Sequence, residues 1–140
     1  MRVDAAMTKP VEIISPCASI RTARRVLELK GIHHLVVVQR GRIVGLATAE
    51  TLKERQADGA TRVADAMLRN IIVVSPDLTV REAAGLMLAK RSQTALPVVG
   101  MNGLVGIVTV FDLLELAGMA SDLVSRRSTP LPKEREPLRK

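Results

Sequence analysis

The sequence predicts a mixed α/β (α+β) fold in which two similar copies pack with pseudo-twofold symmetry as one module. A repeat of about 60 residues and the same order of helix and strand patterns in each copy carry this prediction. The composition agrees with it, because 47% of the 140 residues are hydrophobic and Phe111 is the one aromatic residue, so aliphatic side chains must build the core. A copy of this length buries little surface alone, so we expect the two copies to share a core.

The repeat emerges when the chain is compared with itself. Ser-Pro at 15–16 recurs at 75–76, and after one inserted residue Val-Gly at 44–45 recurs at 105–106. This register predicts four segments: copy one at 1–57, a linker at 58–60, copy two at 61–120 and a flexible basic tail at 121–140.

Each copy is expected to begin with a short helix, over 3–7 and over 63–68, and Thr61 is placed to cap the second of these. A longer helix then begins after Ser19 and after Thr79. Thr79 and Glu82 have the spacing of a capping box, and the first-copy helix should end near Gly31.

Strands follow the same order in both copies. Short β-branched runs precede the longer helices, and a hairpin that is apolar on both faces follows them, so helices should cover the hairpin. The predicted strands are 11–14, 35–39 and 42–47 in copy one, and 71–74, 96–99 and 104–108 in copy two, with hairpin turns at Arg40-Gly41 and Asn102-Gly103. A last helix begins after Thr48 and after Thr109, and its apolar face in copy two extends to Ala117.

This unit, repeated in tandem over about residues 1–120, resembles the CBS (cystathionine-β-synthase-type) domain. Four stretches of copy two carry the resemblance: Ala-Met at 66–67, Ser-Pro-Asp-Leu-Thr at 75–79, Ala-Leu-Pro-Val-Val at 95–99 and Gly-Ile-Val-Thr-Val-Phe-Asp at 106–112. The resemblance implies a regulatory module with two related ligand sites in a cleft. It also implies an adenosyl ligand, either an adenine nucleotide (AMP, ADP or ATP) or S-adenosylmethionine, and a homodimer formed through the helices.

Thr109 and Asp112 lie where a buried strand turns into a helix, and free backbone N–H groups at such a point attract phosphate. A carboxylate in the first helical turn can accept hydrogen bonds from ribose hydroxyls. We therefore expect Asp112 to bind the ribose and Thr109 to bind phosphate or a ribose oxygen. The alternative is that Thr-x-x-Asp only caps the helix.

The first copy has Thr48 in place of Thr109 and Thr51 in place of Asp112. A hydroxyl carries no charge and makes fewer hydrogen bonds than a carboxylate, so we expect one competent site and a weak or empty twin. Glu50 comes one position early and is expected to point away from the cleft.

By the family's pairing, the competent site takes residues from the start of the other copy. Thr8, Pro10 and Val11 would lie near the adenine, with Ile107 beneath it. Because the chain has no Tyr or Trp, aliphatic side chains are expected to hold the base.

His33 and His34 occupy a position from which family members reach phosphates across the cleft. The alternative is a solvent-facing pair at a helix–strand junction. Adjacent side chains of a strand point to opposite faces and no carboxylate cluster accompanies this pair, so no metal site is expected.

The net charge of +7 and a pI near 10.5 raise the possibility of an anionic partner. The basic helix face of Arg21, Arg24, Arg25 and Lys30, together with the tail, supports nucleic-acid binding as an alternative function. That alternative lacks a helix-turn-helix pattern and aromatic residues for base stacking. A dimerisation module without a ligand is the third possibility.

Several classes are disfavoured. The sequence has no nucleophile–base order, paired carboxylates or Gly-rich phosphate loop, so we expect no enzyme. No apolar run approaches the ~20 residues that span a bilayer, and Cys17 is the single cysteine, so a cytoplasmic protein without a membrane partner is expected. A protein partner that receives the ligand state remains unidentified.

Overall fold

The computed structural model describes residues 1–116, and the predicted mixed fold of two similar copies is confirmed there. Ala117 and the predicted tail at 121–140 lie outside the described residues. The elements in chain order are α1 (Val3–Ala6), β1 (Ile13–Ile14), α2 (Ile20–Lys30), β2 (His34–Gln39), β3 (Arg42–Thr48), α3 (Ala49–Ala57), a one-turn 3-10 helix (Val63–Asp65), α4 (Val80–Ala89), β4 (Ala95–Gly100), β5 (Gly103–Thr109) and α5 (Val110–Leu116).

The predicted starts of the two longer helices are correct. The Ser19 hydroxyl accepts a hydrogen bond from the backbone N–H of Thr22 (3.0 Å), and Thr79 forms the expected reciprocal box with Glu82. Gly31 follows α2 with a φ of 63°, a left-handed conformation that glycine adopts without steric cost. Local sequence therefore fixes both ends of α2.

The predicted helix over 63–68 is wrong, and so is its cap. A single 3-10 turn is present, and Arg62, not Thr61, precedes it without a side-chain capping bond. The carbonyl of Thr61 accepts a hydrogen bond from the Ile20 N–H (2.8 Å), and Ser19 and Arg62 form an antiparallel bridge. Pairing with the start of α2 therefore holds residues 61–62 extended.

The β-branched runs form less strand than predicted. In copy one only Ile13 and Ile14 pair with β2, in parallel, and the Val36 N–H donates to the Glu12 carbonyl (3.1 Å). In copy two the predicted strand at 71–74 is wrong, because only Val74 bridges to Val98.

Pro97 explains this difference. It occupies the position of Val36 and has no N–H to donate. The Ile72 carbonyl, which corresponds to that of Glu12, accepts instead from Nε2 of Gln93 (2.8 Å), and Oε1 of Gln93 accepts from the Ile72 N–H (2.8 Å). A buried side chain thus replaces a strand hydrogen bond.

The two hairpins match closely. β2 pairs with β3 and β4 with β5, both antiparallel, and each pair has a register shift at the equivalent position, after Val37 and after Val98. The second turn uses Met101-Asn102 and β5 begins at Gly103, one residue earlier than predicted. The central residues of β2 and β4 are buried, as the apolar pattern on both faces predicts.

The opening segments of the two copies are exchanged. Val3 of copy one is fully buried in the apolar cluster of copy two, and Val63 of copy two is fully buried in the cluster of copy one. Equivalent backbone bonds fix both, from the Val3 N–H to the Leu78 carbonyl (2.7 Å) and from the Val63 N–H to the Ala18 carbonyl (2.9 Å). The copies are therefore interlocked.

A third apolar cluster joins the copies at the seam between them. It contains Val36 and Leu46 of copy one with Ala95 and Ile107 of copy two. The exchanged segments run along this seam, since Thr8 bridges to Ile107 and Leu68 bridges to Leu46. Of the residues expected to bind the ligand, Thr8 lies on a crossing segment and Ile107 on the strand with which it pairs.

Candidate functional site

Asp112 lies in the first turn of α5, directly after β5. Its Oδ2 accepts a hydrogen bond from the backbone N–H of Thr109 (2.9 Å), and Oγ1 of Thr109 accepts from the N–H of Asp112 (3.1 Å). This is the reciprocal capping arrangement that the sequence left open as an alternative. Capping uses only part of the acceptor capacity of the carboxylate, which has about four lone-pair sites.

Thr8 connects this carboxylate to the other copy. Its hydroxyl lies 3.0 Å from Oδ1 and 3.2 Å from Oδ2 of Asp112, so its single proton is shared between the two oxygens. Backbone hydrogen bonds in both directions between Thr8 and Ile107 (2.8 and 3.1 Å) hold the hydroxyl there. A ligand that binds Asp112 therefore meets residues of both copies.

A cavity of about 210 Å³ adjoins this pair, and we refer to it as the inner cavity. Seven of the eight residues predicted for the site line it: Thr8, Pro10, Val11, His33, His34, Ile107 and Thr109. The eighth, Asp112, is not among the lining residues but accepts a hydrogen bond from the hydroxyl of Thr8, which is. The fold thus gathers residues that lie up to 104 positions apart in the sequence.

The sequence analysis missed Phe111. Its ring lines the inner cavity, with a centroid 6.4 Å from that of His33, and 69% of the residue is exposed. The cavity wall therefore includes one aromatic residue beside the aliphatic side chains expected to hold the base. The place of Phe111 between Thr109 and Asp112, in the first turn of the site helix, could have indicated this role.

Glu12 is a second missed residue. It brings a carboxylate to the inner cavity, and its Oε2 lies 3.5 Å from Nζ of Lys30. Its position beside the predicted Val11 is the feature that could have identified it.

The two histidines have different environments. His33 is exposed, whereas His34 is half-buried and its Nε2 lies 2.8 Å from Oγ1 of Thr94 in the other copy. Burial, assisted by the charge of His33 and opposed by Asp112, lowers the pKa of His34 to about 4. His34 is therefore uncharged near neutral pH. Separately, within residues 1–116 no group of His, Cys, Asp and Glu side chains is arranged to hold a metal ion.

A second hollow of about 390 Å³, here the outer cavity, shares His33, His34 and Phe111 with the inner cavity. Its remaining walls come from the starts of α3 and α5 and from Thr94: Thr48, Ala49, Glu50, Thr94 and Val110. Glu50, which was expected to point away from the cleft, does not line the inner cavity but is one of the residues around the outer one.

The twin position lacks the polar pair. Thr48 and Thr51 form a closed capping box, in which Oγ1 of Thr51 lies 3.0 Å from that of Thr48 and 3.2 Å from the Thr48 carbonyl. Leu68 takes the place of Thr8, since its backbone pairs with Leu46 as that of Thr8 pairs with Ile107. Thr51 and Leu68 therefore do not reproduce the carboxylate–hydroxyl pair that Asp112 and Thr8 form.

Another hollow, about 720 Å³, is an open groove between α2 and α3. Arg21, Arg24, Arg25 and Lys53 line it with the single carboxylate of Glu28. We place the site at the inner cavity instead, because converging polar groups and apolar walls there suit a small ligand, whereas the groove is broad and exposed. The groove does provide the basic face that the nucleic-acid alternative requires.

The family follows from the comparisons. A model of the CBS domain matches residues 3–58 and 63–118, so the chain belongs to the CBS domain family and carries a pair of these domains. Within the described residues, no helix is long and apolar enough to cross a membrane.

Among known proteins, the CBS domain-containing protein YhcV of Bacillus subtilis is 29% identical over 136 residues, which cover 90% of this chain and 96% of that protein. An inosine-5′-monophosphate dehydrogenase of Korarchaeum cryptofilum is 33% identical over 113 residues, which cover 80% of this chain but 23% of the enzyme.

Two solved structures are also similar. The CBS domain pair of protein MJ0100, in complex with 5′-methylthioadenosine and S-adenosyl-L-methionine, is 30% identical with a TM-score of 0.78 and covers 84% of this chain and 96% of that one. CBSX2 in complex with AMP is 24% identical with a TM-score of 0.72 and covers 86% and 98%. At that lower identity CBSX2 shares the fold alone.

Proposed function

We propose that this CBS pair is a regulatory module, not an enzyme, that binds one adenosyl ligand (AMP, ADP, ATP or S-adenosylmethionine) in the inner cavity. The hydrogen bond from Thr8 to Asp112 carries the proposal, because it places the expected ribose carboxylate against the crossing segment of the other copy. Pro10, Val11 and Ile107 supply apolar walls for the adenine. The related MJ0100 pair in complex with two adenosyl compounds supports this ligand class.

The site also suggests how a ligand could change the module. Ribose hydroxyls that donate to Asp112 compete with the Thr8 hydroxyl for the same two oxygens. Binding would then release or reposition the segment that crosses from copy one to copy two. A ligand with different contacts in the two arrangements shifts the balance between them, and a bound protein partner would receive that shift.

Thermal unfolding of the full chain tests ligand binding. We expect at least one compound among AMP, ADP, ATP, S-adenosylmethionine and 5′-methylthioadenosine at millimolar concentration to raise the melting temperature by about 5 °C or more. The D112N variant keeps the shape of the side chain but removes its charge, and it should weaken binding at least tenfold. D65A, which removes an exposed carboxylate remote from the cavity, is the matched control.

Unchanged melting with every compound would refute the ligand proposal and favour the module without a ligand. Salt-sensitive binding of DNA or RNA that is lost in R21Q/R24Q/R25Q would instead favour the nucleic-acid alternative. The family resemblance also implies a homodimer formed through the helices, and sedimentation equilibrium over a range of concentrations measures that association directly.

A further inference from the structure

The walls of the two cavities are poor in positive charge, although the protein as a whole carries +7. Neither the inner nor the outer cavity is lined by a Lys or Arg among the described residues. Their charged groups are the carboxylates of Glu12 and Glu50, and Asp112 adjoins them. A phosphate chain needs cationic partners, and these walls offer only two imidazoles.

One of those imidazoles, His34, contributes no positive charge near neutral pH. His34 is half-buried, its Nε2 is engaged by the Thr94 hydroxyl, and its lowered pKa keeps it neutral at physiological pH. Lys30 is paired with Glu12. Within residues 1–116 the ion pairs do not include Glu50 or Asp112, so no Lys or Arg of this part of the chain neutralises these two carboxylates by direct contact.

The three arginines of the α2 face lie outside both cavities. Arg21, Arg24 and Arg25 line the groove between α2 and α3 with Lys53, outside both cavities. The positive charge of the copy-one helix face therefore does not reach the ligand site as a direct contact.

The arrangement also sets where the 5′ substituent of an adenosyl ligand would go. With the adenine between Pro10, Val11 and Ile107 and the ribose at Asp112, the 5′ substituent is expected to extend towards the outer cavity, whose wall shares His33, His34 and Phe111 with the inner cavity. The other walls of the outer cavity are hydroxyl groups, apolar side chains and the carboxylate of Glu50.

We infer that the site selects adenosyl ligands whose 5′ group is neutral or cationic, such as a thioether or a sulfonium, over ADP and ATP, because Glu50 lines the outer cavity and no Lys or Arg of residues 1–116 lines either cavity. This inference rests on the proposed function. A sulfonium is attracted by the carboxylate and a thioether suits the apolar wall, whereas each added phosphate is repelled.

Isothermal titration of the full chain at low ionic strength tests this selection. We expect S-adenosylmethionine and 5′-methylthioadenosine to bind more tightly than AMP, and each phosphate added to AMP to weaken binding about fivefold. Repeating the titrations at high salt should narrow the difference in affinity between AMP and ATP, because salt screens the repulsion between the phosphates and the carboxylates. If Lys or Arg contacted the phosphates, ATP would bind more tightly than AMP, and high salt would weaken the binding of ATP.

Variants at Glu50 test whether its carboxylate causes the weaker binding of ATP. We expect E50Q to raise the ratio of ATP affinity to 5′-methylthioadenosine affinity about threefold, and E50K to raise it about tenfold. Glu54, one turn further along α3 and outside both cavities, provides the matched control E54Q, which should leave the ratio unchanged. Glu50 is exposed, so each variant is expected to fold, and its melting temperature verifies this.

ATP that binds as tightly as AMP, or an affinity ratio that does not respond at Glu50, would overturn the selection while leaving the adenosyl site in place. Failure of all five compounds to bind would instead reject the proposed function itself. The two failures are thus distinguishable in one set of titrations.

Discussion

At the start of α5, the Asp112 carboxylate receives hydrogen bonds from the Thr109 backbone and from the Thr8 hydroxyl of the crossing segment. At the start of α3, Thr51 occupies the same position and bonds only within its own turn, beside Leu68. The backbone pairing is the same in both places. Two side-chain differences therefore separate a polar inter-copy site from a helix cap, and the difference in chemistry does not require a difference in fold.

The same comparison applies to the strand that precedes each hairpin. In copy one the backbone N–H of Val36 donates to the carbonyl of this strand at Glu12. In copy two Pro97 has no N–H at that position, and the side chain of Gln93 donates to the equivalent carbonyl of Ile72. Gln93 is 1% exposed and also donates to the Ala95 carbonyl (2.9 Å). A backbone contact in one copy has become a side-chain contact in the other.

The largest expected effect is therefore at Gln93. Q93L keeps a side chain of similar length but removes three hydrogen bonds and leaves the Ile72 N–H and two carbonyls without partners, so we expect about 3 kcal/mol of destabilisation. Denaturant unfolding measures it. The matched change I32L at the equivalent position of copy one conserves volume and should cost less than about 1.5 kcal/mol. Equal losses would contradict the assigned role of Gln93.

The second-largest effect on stability is expected at two equivalent glycines at the seam, Gly45 in copy one and Gly106 in copy two. A Cβ at Gly45 would lie 2.7 Å from Sδ of Met67 and 2.9 Å from the Leu68 carbonyl oxygen, which is backbone and cannot move away alone. At Gly106 the nearest atoms all belong to the flexible Met7 side chain. We expect G45A to cost about 2 kcal/mol and G106A about 1 kcal/mol in denaturant unfolding. The reverse order would show that Met7 is the more tightly held of the two methionines.

The seam histidines predict a dependence on pH. The pKa of His34 falls from 6.5 to about 4 on folding, so between these values the unfolded chain binds the proton and the folded chain does not. Stability should therefore decrease as the pH falls from 6.5 towards 4 and be unaffected by this group above 6.5. We expect a loss of about 1–2 kcal/mol, reduced because the side chain is partly solvated.

Comparison with H34Q by denaturant unfolding across this window isolates the effect, because the other groups are common to both proteins. H33Q is the control for the exposed neighbour. If the difference in stability between wild type and H34Q were constant with pH, the buried neutral state of His34 would be refuted.

The smallest effect is expected at Thr51. T51A removes one half of a capping box and should destabilise the protein by about 0.5–1 kcal/mol, measured as a small decrease in melting temperature. It should leave ligand affinity unchanged, in contrast to D112N. A loss of affinity in T51A would indicate that the twin position binds ligand after all.

Local sequence patterns predicted much of this protein because their causes are local. The caps at Ser19 and Thr79, Gly31 after α2 and the apolar hairpins depend on neighbours in the chain or on periodicity. The predicted helix at 63–68 and strand at 71–74 were wrong because partners distant in sequence, Ser19 and Pro97, control those segments. For the site, motif resemblance indicated Thr109 and Asp112, and the position of Phe111 between them was a signal that went unused, whereas no local pattern indicated Glu50 as a wall of the outer cavity.

The sequence by itself determined the repeat, the order of elements and the exchange of Asp112 for Thr51, since each is written in the residues and their spacing. Only the tertiary structure decided that the opening segments cross between copies, that Thr8 meets Asp112, and that glutamates rather than arginines of residues 1–116 line the inner and outer cavities. These features depend on which distant residues the shared core brings within a few ångströms. The physical reason is that one backbone arrangement satisfies the buried polar groups of both copies, and the side chains that it places together set the chemistry.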